Sequence, residues 1–367
     1  MLLVNLRIRK ITAVLLASFV AFGAVAYLTD FLAGTDAKNY FFRATDESYS
    51  PYEHFLWKSS LENLSALQYG DVLYPYVVRA VFGGSPGLIS SLLPVFLYLF
   101  LVLSTFYFAR QMRSSGRISR RGSNLALTLC LLSPSLLYFS NIFHKEALCA
   151  ALTLIAATAW VRKSILLFGA SLILLLVLRP YSPAAILIAL YVLTYRRIYL
   201  QVFWMLLIPQ FIIFWPGLID FLESTGIMMI FTAMAPNPFD VENWRLIDRS
   251  ITIQLPAAFL LEGLVLSLIV LVGVYAIVKY RLLFLINVYL AIVFLLIYTG
   301  VVMFDAFSHD SIIERIAVPR KRVFMIPILY FAFVSTLEQL RTKKRMSSYP
   351  SSINIPSTAV SDSKMIS

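Results

Sequence analysis

Three groups of residues in this chain have the types and settings that chemistry needs. The first is Asp36, a few residues past a long apolar run in "GTDAKNYFFRA". A carboxylate at a membrane interface can take a proton from a hydroxyl group; the plainer use of such an aspartate is to cap the helix that "AKNYFFRA" would form. The second is "HKE" at residues 144–146, set between two greasy stretches. Glu146 suits the first turn of a helix, where the dipole favours an anion, but Lys145 gains nothing there. Either the pair forms the lip of a site, or Lys145 is a snorkelling or locally paired lysine. The third is a set of arginines. Arg179 stands alone in "LILLLVLRPYSPAAILIAL", beside Tyr181. An arginine next to hydrocarbon is costly, so it pairs or binds something, and its fork matches phosphate oxygens. Snorkelling to lipid headgroups is the alternative. Arg245 and Arg249 in "NWRLIDRS", and Arg315, Arg320, Lys321 and Arg322 in "ERIAVPRKR", extend the set of cations. The last cluster is a natural seat for a phosphate or pyrophosphate, or for anionic phospholipid.

Other chemistries lack their residues. The sequence contains no P-loop, no G-x-G-x-x-G and no nucleophile elbow. His54, His144 and His309 are scattered, Cys130 and Cys149 have no metal-type spacing, and no metal or other cofactor is expected. Basic residues sit in short turns between apolar runs, which argues against nucleic acid as a partner.

The elements that must hold these residues are membrane helices. Of 367 residues, 60% are hydrophobic and only 14% charged, against roughly 25% in soluble domains, and mean hydropathy is +0.81. Apolar runs long enough to cross roughly 30 Å of hydrocarbon recur along the chain. Hydropathy predicts an all-α, polytopic integral membrane protein of about ten spans, near 11–33, 88–109, 124–143, 147–161, 165–178, 182–195, 202–222, 256–278, 282–304 and 323–340. They form a single transmembrane domain, residues 1–345, with a long first outer loop at 35–87 that carries interfacial helices, one of them in "YEHFLWKSSLENL". Residues 346–367, rich in Ser and Pro, are expected to be a disordered cytoplasmic tail. The N-terminal "LRIRKITAVLLASFVAFGAVA" has features of a signal peptide, but the charge pattern is better served if it stays as the first span.

Orientation follows from lysine and arginine. Alternate loops carry Arg7, Arg9 and Lys10; "RQMRSSGRISRRGS"; Arg162 and Lys163; Arg196 and Arg197; Lys279 and Arg281; and "RTKKR", with few acids among them. By the positive-inside rule these loops and both termini are cytoplasmic. Asp36, "HKE", Arg179 and the later arginines then share the outer, periplasmic face. Mid-span charges are scarce, and Glu262 lies within a turn or two of the outer end of its run.

With these residues in place the chain resembles the GT-C superfamily of polytopic glycosyltransferases, which take sugars from polyprenyl-phosphate carriers. The acid soon after the first span, followed by Tyr40 in "DAKNYFFRA", resembles that family; so do "YPYVVRAVFGGSP", "LLSPSLLYFSNIFHKEAL" and "RVFMIPILYF". The chain is also similar to bacterial O-antigen and exopolysaccharide polymerases, which use outer-loop arginines on undecaprenyl-pyrophosphate glycans. The resemblance implies transfer of a sugar from a lipid-linked donor on the outer face, with membrane lipids as surroundings. Asp36 would be the general base, and Lys145, Arg179 and Arg320 would hold the carrier phosphate. Tyr40, Glu146, Tyr181, Arg245, Arg249 and Arg315 would support them. A flippase or transporter of lipid-linked glycans, without chemistry, is the reading from a different class.

Overall fold

The computed structural model describes residues 2–33, 35–46, 48, 70–179, 181–214, 226, 228–230, 232–233, 256–304 and 322–347. Among them every regular element is helical. In chain order they are α1 (Leu2–Leu28), α2 (Thr35–Thr45), α3 (Gly70–Phe82), α4 (Pro86–Ser114), α5 (Arg120–Leu131), α6 (Pro134–Asn141) and α7 (Glu146–Val161). There follow α8 (Ile165–Leu178), α9 (Pro183–Thr194), α10 (Arg197–Phe214), α11 (Pro256–Tyr280), α12 (Phe284–Phe304), a one-turn 3-10 helix (Val323–Met325) and α13 (Ile326–Ser347). Among the described residues, three helical stretches are long and apolar enough to cross a membrane: Pro86–Ser114, Phe259–Tyr280 and Val323–Lys344. The bent pair α5–α6 makes a fourth if it counts as one span. The other apolar helices are shorter. At 1.5 Å per residue, α7, α8 and α9, of 16, 14 and 12 residues, are about 24, 21 and 18 Å long.

Helix α7 is the hub. Its sequence "EALCAALTLIAATAWV" is rich in Ala, Cys and Thr, and small side chains let neighbouring backbones approach closely. Nearly all of it is buried, against α4, α8, α9, α6, the 3-10 turn and α13. The apolar surface faces outward instead. On α11, Leu261, Leu264, Leu268, Leu271 and Val278 are all exposed, at spacings that keep them on one side of the helix. Such a stripe suits a lipid surface and is compatible with a membrane location.

One predicted span is broken. Residues 124–143 form α5 and α6, bent by 48°. Pro134 cannot continue the hydrogen-bond ladder and its ring clashes with the preceding turn. Ser133 then caps the new helix, accepting from the Leu136 N–H at 3.3 Å. The break leaves α5 carbonyls open, and Ser18 of α1 donates to the Leu131 carbonyl at 2.8 Å. Further boundaries differ from expectation, among them those of α1, α4, α10 and α13. Helix α1 ends at Leu28 rather than near 33, and α13 runs through Ser347, into the segment read as tail. The surface helix expected in "YEHFLWKSSLENL" lies outside the described residues. Within residues 35–87, expected to form the first outer loop, α2 buries Ala37, Tyr40 and Ala44 on one face and packs on α3. Arg79 of α3 donates to the Asp46 carbonyl just past α2, at 2.7 Å.

The basic turns gather at one end of the bundle. Arg117, after α4, donates to the Thr194 carbonyl that ends α9, at 2.7 Å, and stacks on Tyr195. Arg162 donates to Gln111 at 3.1 Å, and Lys343 to the Tyr280 carbonyl at 2.9 Å. Glu338 of α13 accepts from the Ser119 N–H and hydroxyl. Gly122 permits this approach, because a Cβ there would overlap the Glu338 carboxylate. The turns after α7, α9 and α11 close alike, with Lys163, Tyr195 and Arg281 in the left-handed conformation. Residues 144–146, Arg179 and α2 lie at the opposite helix ends.

Candidate functional site

The "HKE" turn forms because α6 ends in the extended residue Ile142, after which the chain folds back before α7 starts. The Phe143 N–H bonds to the Phe31 carbonyl at 3.0 Å, which ties the turn to the end of α1. Lys145 immediately precedes α7, and its carbonyl accepts the Cys149 N–H at 2.9 Å as the helix begins. All three side chains are inside the protein: His144 is 0% exposed, Lys145 2% and Glu146 0%.

Arg179 comes to them from the far end of α8. It is 3% exposed, so it is not an arginine reaching for lipid headgroups. One guanidinium nitrogen pairs with Glu146 Oε1 and the other terminal nitrogen donates to the Tyr181 hydroxyl. The second Glu146 oxygen lies 3.4 Å from His144 Nδ1. Helices α7 and α8 are antiparallel, so the start of one meets the end of the other, and the turn after Val161 sets the register.

Aromatic rings line the rest. Lys145 Nζ lies 5.7 Å from the centre of the Tyr40 ring, a cation–π geometry. Tyr40 also meets the rings of His144 and Tyr74, at 6.0 and 5.9 Å. The Tyr74 hydroxyl donates to the His144 carbonyl at 3.2 Å, and Phe139 closes on the imidazole at 6.2 Å. Burial pushes the Tyr181 phenol up to about 12 despite the opposing pull of the Arg179 guanidinium, so it stays protonated at neutral pH.

Asp36 falls in the first turn of α2 rather than at its cap, half-buried and one helical turn before Tyr40. Positions i and i+4 share a helix face, so Asp36 and Lys145 both flank Tyr40. Tyr40, Lys145, Glu146, Arg179 and Tyr181 are thus brought together, with Asp36 beside them. Arg245, Arg249, Arg315 and Arg320 lie outside the described residues. The cluster thus sets two cations, Lys145 and Arg179, among the carboxylates of Glu146 and Asp36 and the rings of Tyr40 and Tyr181.

A second buried charged cluster brings together Glu262 and Arg322, two residues that the sequence marks separately. Glu262 of α11 is 1% exposed. It accepts from the hydroxyls of Ser133 and Ser135, from the Ser135 N–H at 3.1 Å and from the Tyr330 hydroxyl at 3.2 Å. The carboxylate therefore sits on the N-terminus of α6, at the break in the bent pair, where the helix dipole favours it. Arg322, 2% exposed, lies within electrostatic reach of it. The signals in sequence were "SPS" inside an apolar run and one acid inside another. No family model, no curated protein and no solved structure matches the chain.

Proposed function

We propose that the protein is a membrane glycosyltransferase that moves a sugar from a polyprenyl-phosphate-linked donor on the periplasmic face. In this reading the chain crosses the inner membrane about ten times, with the basic end and both termini in the cytoplasm. The gathering of the basic turns at one end, away from Lys145 and Arg179, supports that sidedness. The observation that carries the chemistry is the convergence of Lys145, Arg179, Tyr40 and Tyr181 around one carboxylate, beside Asp36.

The reaction then runs as follows. The acceptor hydroxyl gives its proton to the Asp36 carboxylate as its oxygen bonds to the anomeric carbon. The bond from that carbon to the carrier phosphate breaks, and the electron pair leaves on the phosphate oxygen. Lys145 and Arg179 stabilise that growing charge, with Glu146 and Tyr181 fixing the guanidinium beforehand. Repeat-unit polymerisation from a lipid pyrophosphate would use the same steps. Arg320, with Arg245, Arg249 and Arg315, is assigned to the same phosphate on grounds of sequence.

A transporter of lipid-linked glycans has one observation in its favour. A bent span with a buried carboxylate at its break is the arrangement that discontinuous transporter helices use. Analysis of lipid-linked glycans in a strain lacking the protein separates the two. The transferase account expects unused donor to accumulate on the outer face; accumulation on the cytoplasmic face favours transport, and an unchanged pool contradicts both.

A further inference from the structure

We infer that Arg322 forms a second anion-binding position, distinct from the Lys145–Arg179 cluster, which takes a phosphate-class oxyanion on the side edge of its guanidinium. One terminal nitrogen, Nη1, is used to hold the Thr232 carbonyl, at 3.0 Å. The other two donors, Nε and Nη2, are buried and have no hydrogen-bond partner. These two are adjacent and their N–H bonds are parallel. They make up the fork that receives two oxygens of one phosphate or carboxylate. The Thr232 hydroxyl, buried and likewise unpartnered, belongs to the residue whose carbonyl Arg322 holds. Three open polar groups in so small a region are costly unless a ligand satisfies them.

The surroundings favour a site over a simple ion pair. Glu262 faces Arg322 electrostatically, yet its oxygens are already engaged by Ser133, Ser135 and Tyr330, and it makes no salt bridge to Arg322. It is a counter-ion at a distance, which keeps the guanidinium tolerable when no ligand is bound and leaves its edge open. The position is anchored on both sides. Tyr289 of α12 donates to the Met229 carbonyl, one turn before Thr232, and the Met325 N–H bonds to the Arg322 carbonyl at 2.9 Å. Two residues on, Phe324 meets Tyr181 with ring centres 6.0 Å apart, so the position adjoins the first cluster across one short turn.

The test is binding to the full-length protein, without reference to turnover, so it stands or falls apart from the transferase reading. Protein in phosphatidylcholine nanodiscs is titrated with inorganic pyrophosphate; in a second arm, discs carrying undecaprenyl phosphate are scored by native mass spectrometry. Arg322→Lys keeps the charge but not the paired donors, and should bind about tenfold more weakly. Glu262→Gln removes a repelling charge and should bind more tightly than wild type. Response in the lipid arm alone identifies a carrier headgroup as the source, and response to pyrophosphate alone a free anion. A purely structural Arg322–Glu262 pair predicts instead that both variants lower the melting temperature and neither changes affinity. That result, or weaker binding in Glu262→Gln as well as in Arg322→Lys, overturns the assignment.

Discussion

Arg179 closes one helix and Glu146 opens its antiparallel neighbour, and the two form an ion pair inside the protein. Hydrocarbon-like surroundings make this pairing obligatory for both. A lone charge there would be prohibitively desolvated, whereas the pair roughly balances its own cost. Removing one partner strands the other. Glu146→Gln and Arg179→Met should each destabilise the protein by about 3–5 kcal/mol, and the double variant by clearly less than their sum. Thermal unfolding in detergent measures this; additive effects would mean that the pair is not coupled.

Sidedness gives a prediction at the level of the whole chain. A reporter fused after Arg121 should register cytoplasm and one after Trp57 periplasm, because the turn holding Arg117 and Arg121 belongs to the basic end. The reverse result at either position would move Lys145 and Arg179 to the wrong face for a lipid-linked donor.

Gly122 tests the packing of the basic end. An added methyl there must displace the Glu338 side chain, which accepts two hydrogen bonds from Ser119. The carboxylate is the far end of a flexible side chain and can swing aside, so Gly122→Ala should cost about 1 kcal/mol, through the lost bonds from Ser119. Gly169, half-buried in α8 with nothing where its Cβ would go, is the control, and Gly169→Ala should be neutral or slightly stabilising. Equal effects at the two glycines would show that α13 does not press on α5 as described.

Asp36→Asn keeps the size of the side chain and removes the base. Membrane abundance should hold while glycan product falls on the order of 100-fold. Near-normal product would leave Asp36 with only its favourable place in the first turn of α2.

Much of this architecture could be read from hydropathy, and the failures have physical causes. The limits of α7, α8 and α9 lie within one residue or so of the apolar runs at 147–161, 165–178 and 182–195, because Pro183, Arg162 and Arg196 punctuate them. The break at Ser133–Pro134 was missed because an average over a window has no direction, and a bend leaves it unchanged. Sequence places Glu262 only near a helix end, since its partners Ser133 and Ser135 are far away in sequence and come to it only through packing. For the same reason Arg179 was marked as needing a partner, but Glu146 could not be named as that partner.

Lys145 offers the most direct test of the central claim, that this cluster holds the phosphate of a lipid-linked donor. Its charge is buried against the Tyr40 ring, so the variant is compared at matched amounts of folded protein. Binding a phosphate needs that charge. The measurement is glycan product per amount of membrane protein for wild type, Lys145→Gln and, as control, Arg196→Gln in the exposed turn at the basic end. The account predicts at least a tenfold loss per folded protein for Lys145→Gln, and wild-type output for Arg196→Gln. Wild-type output from Lys145→Gln would contradict it.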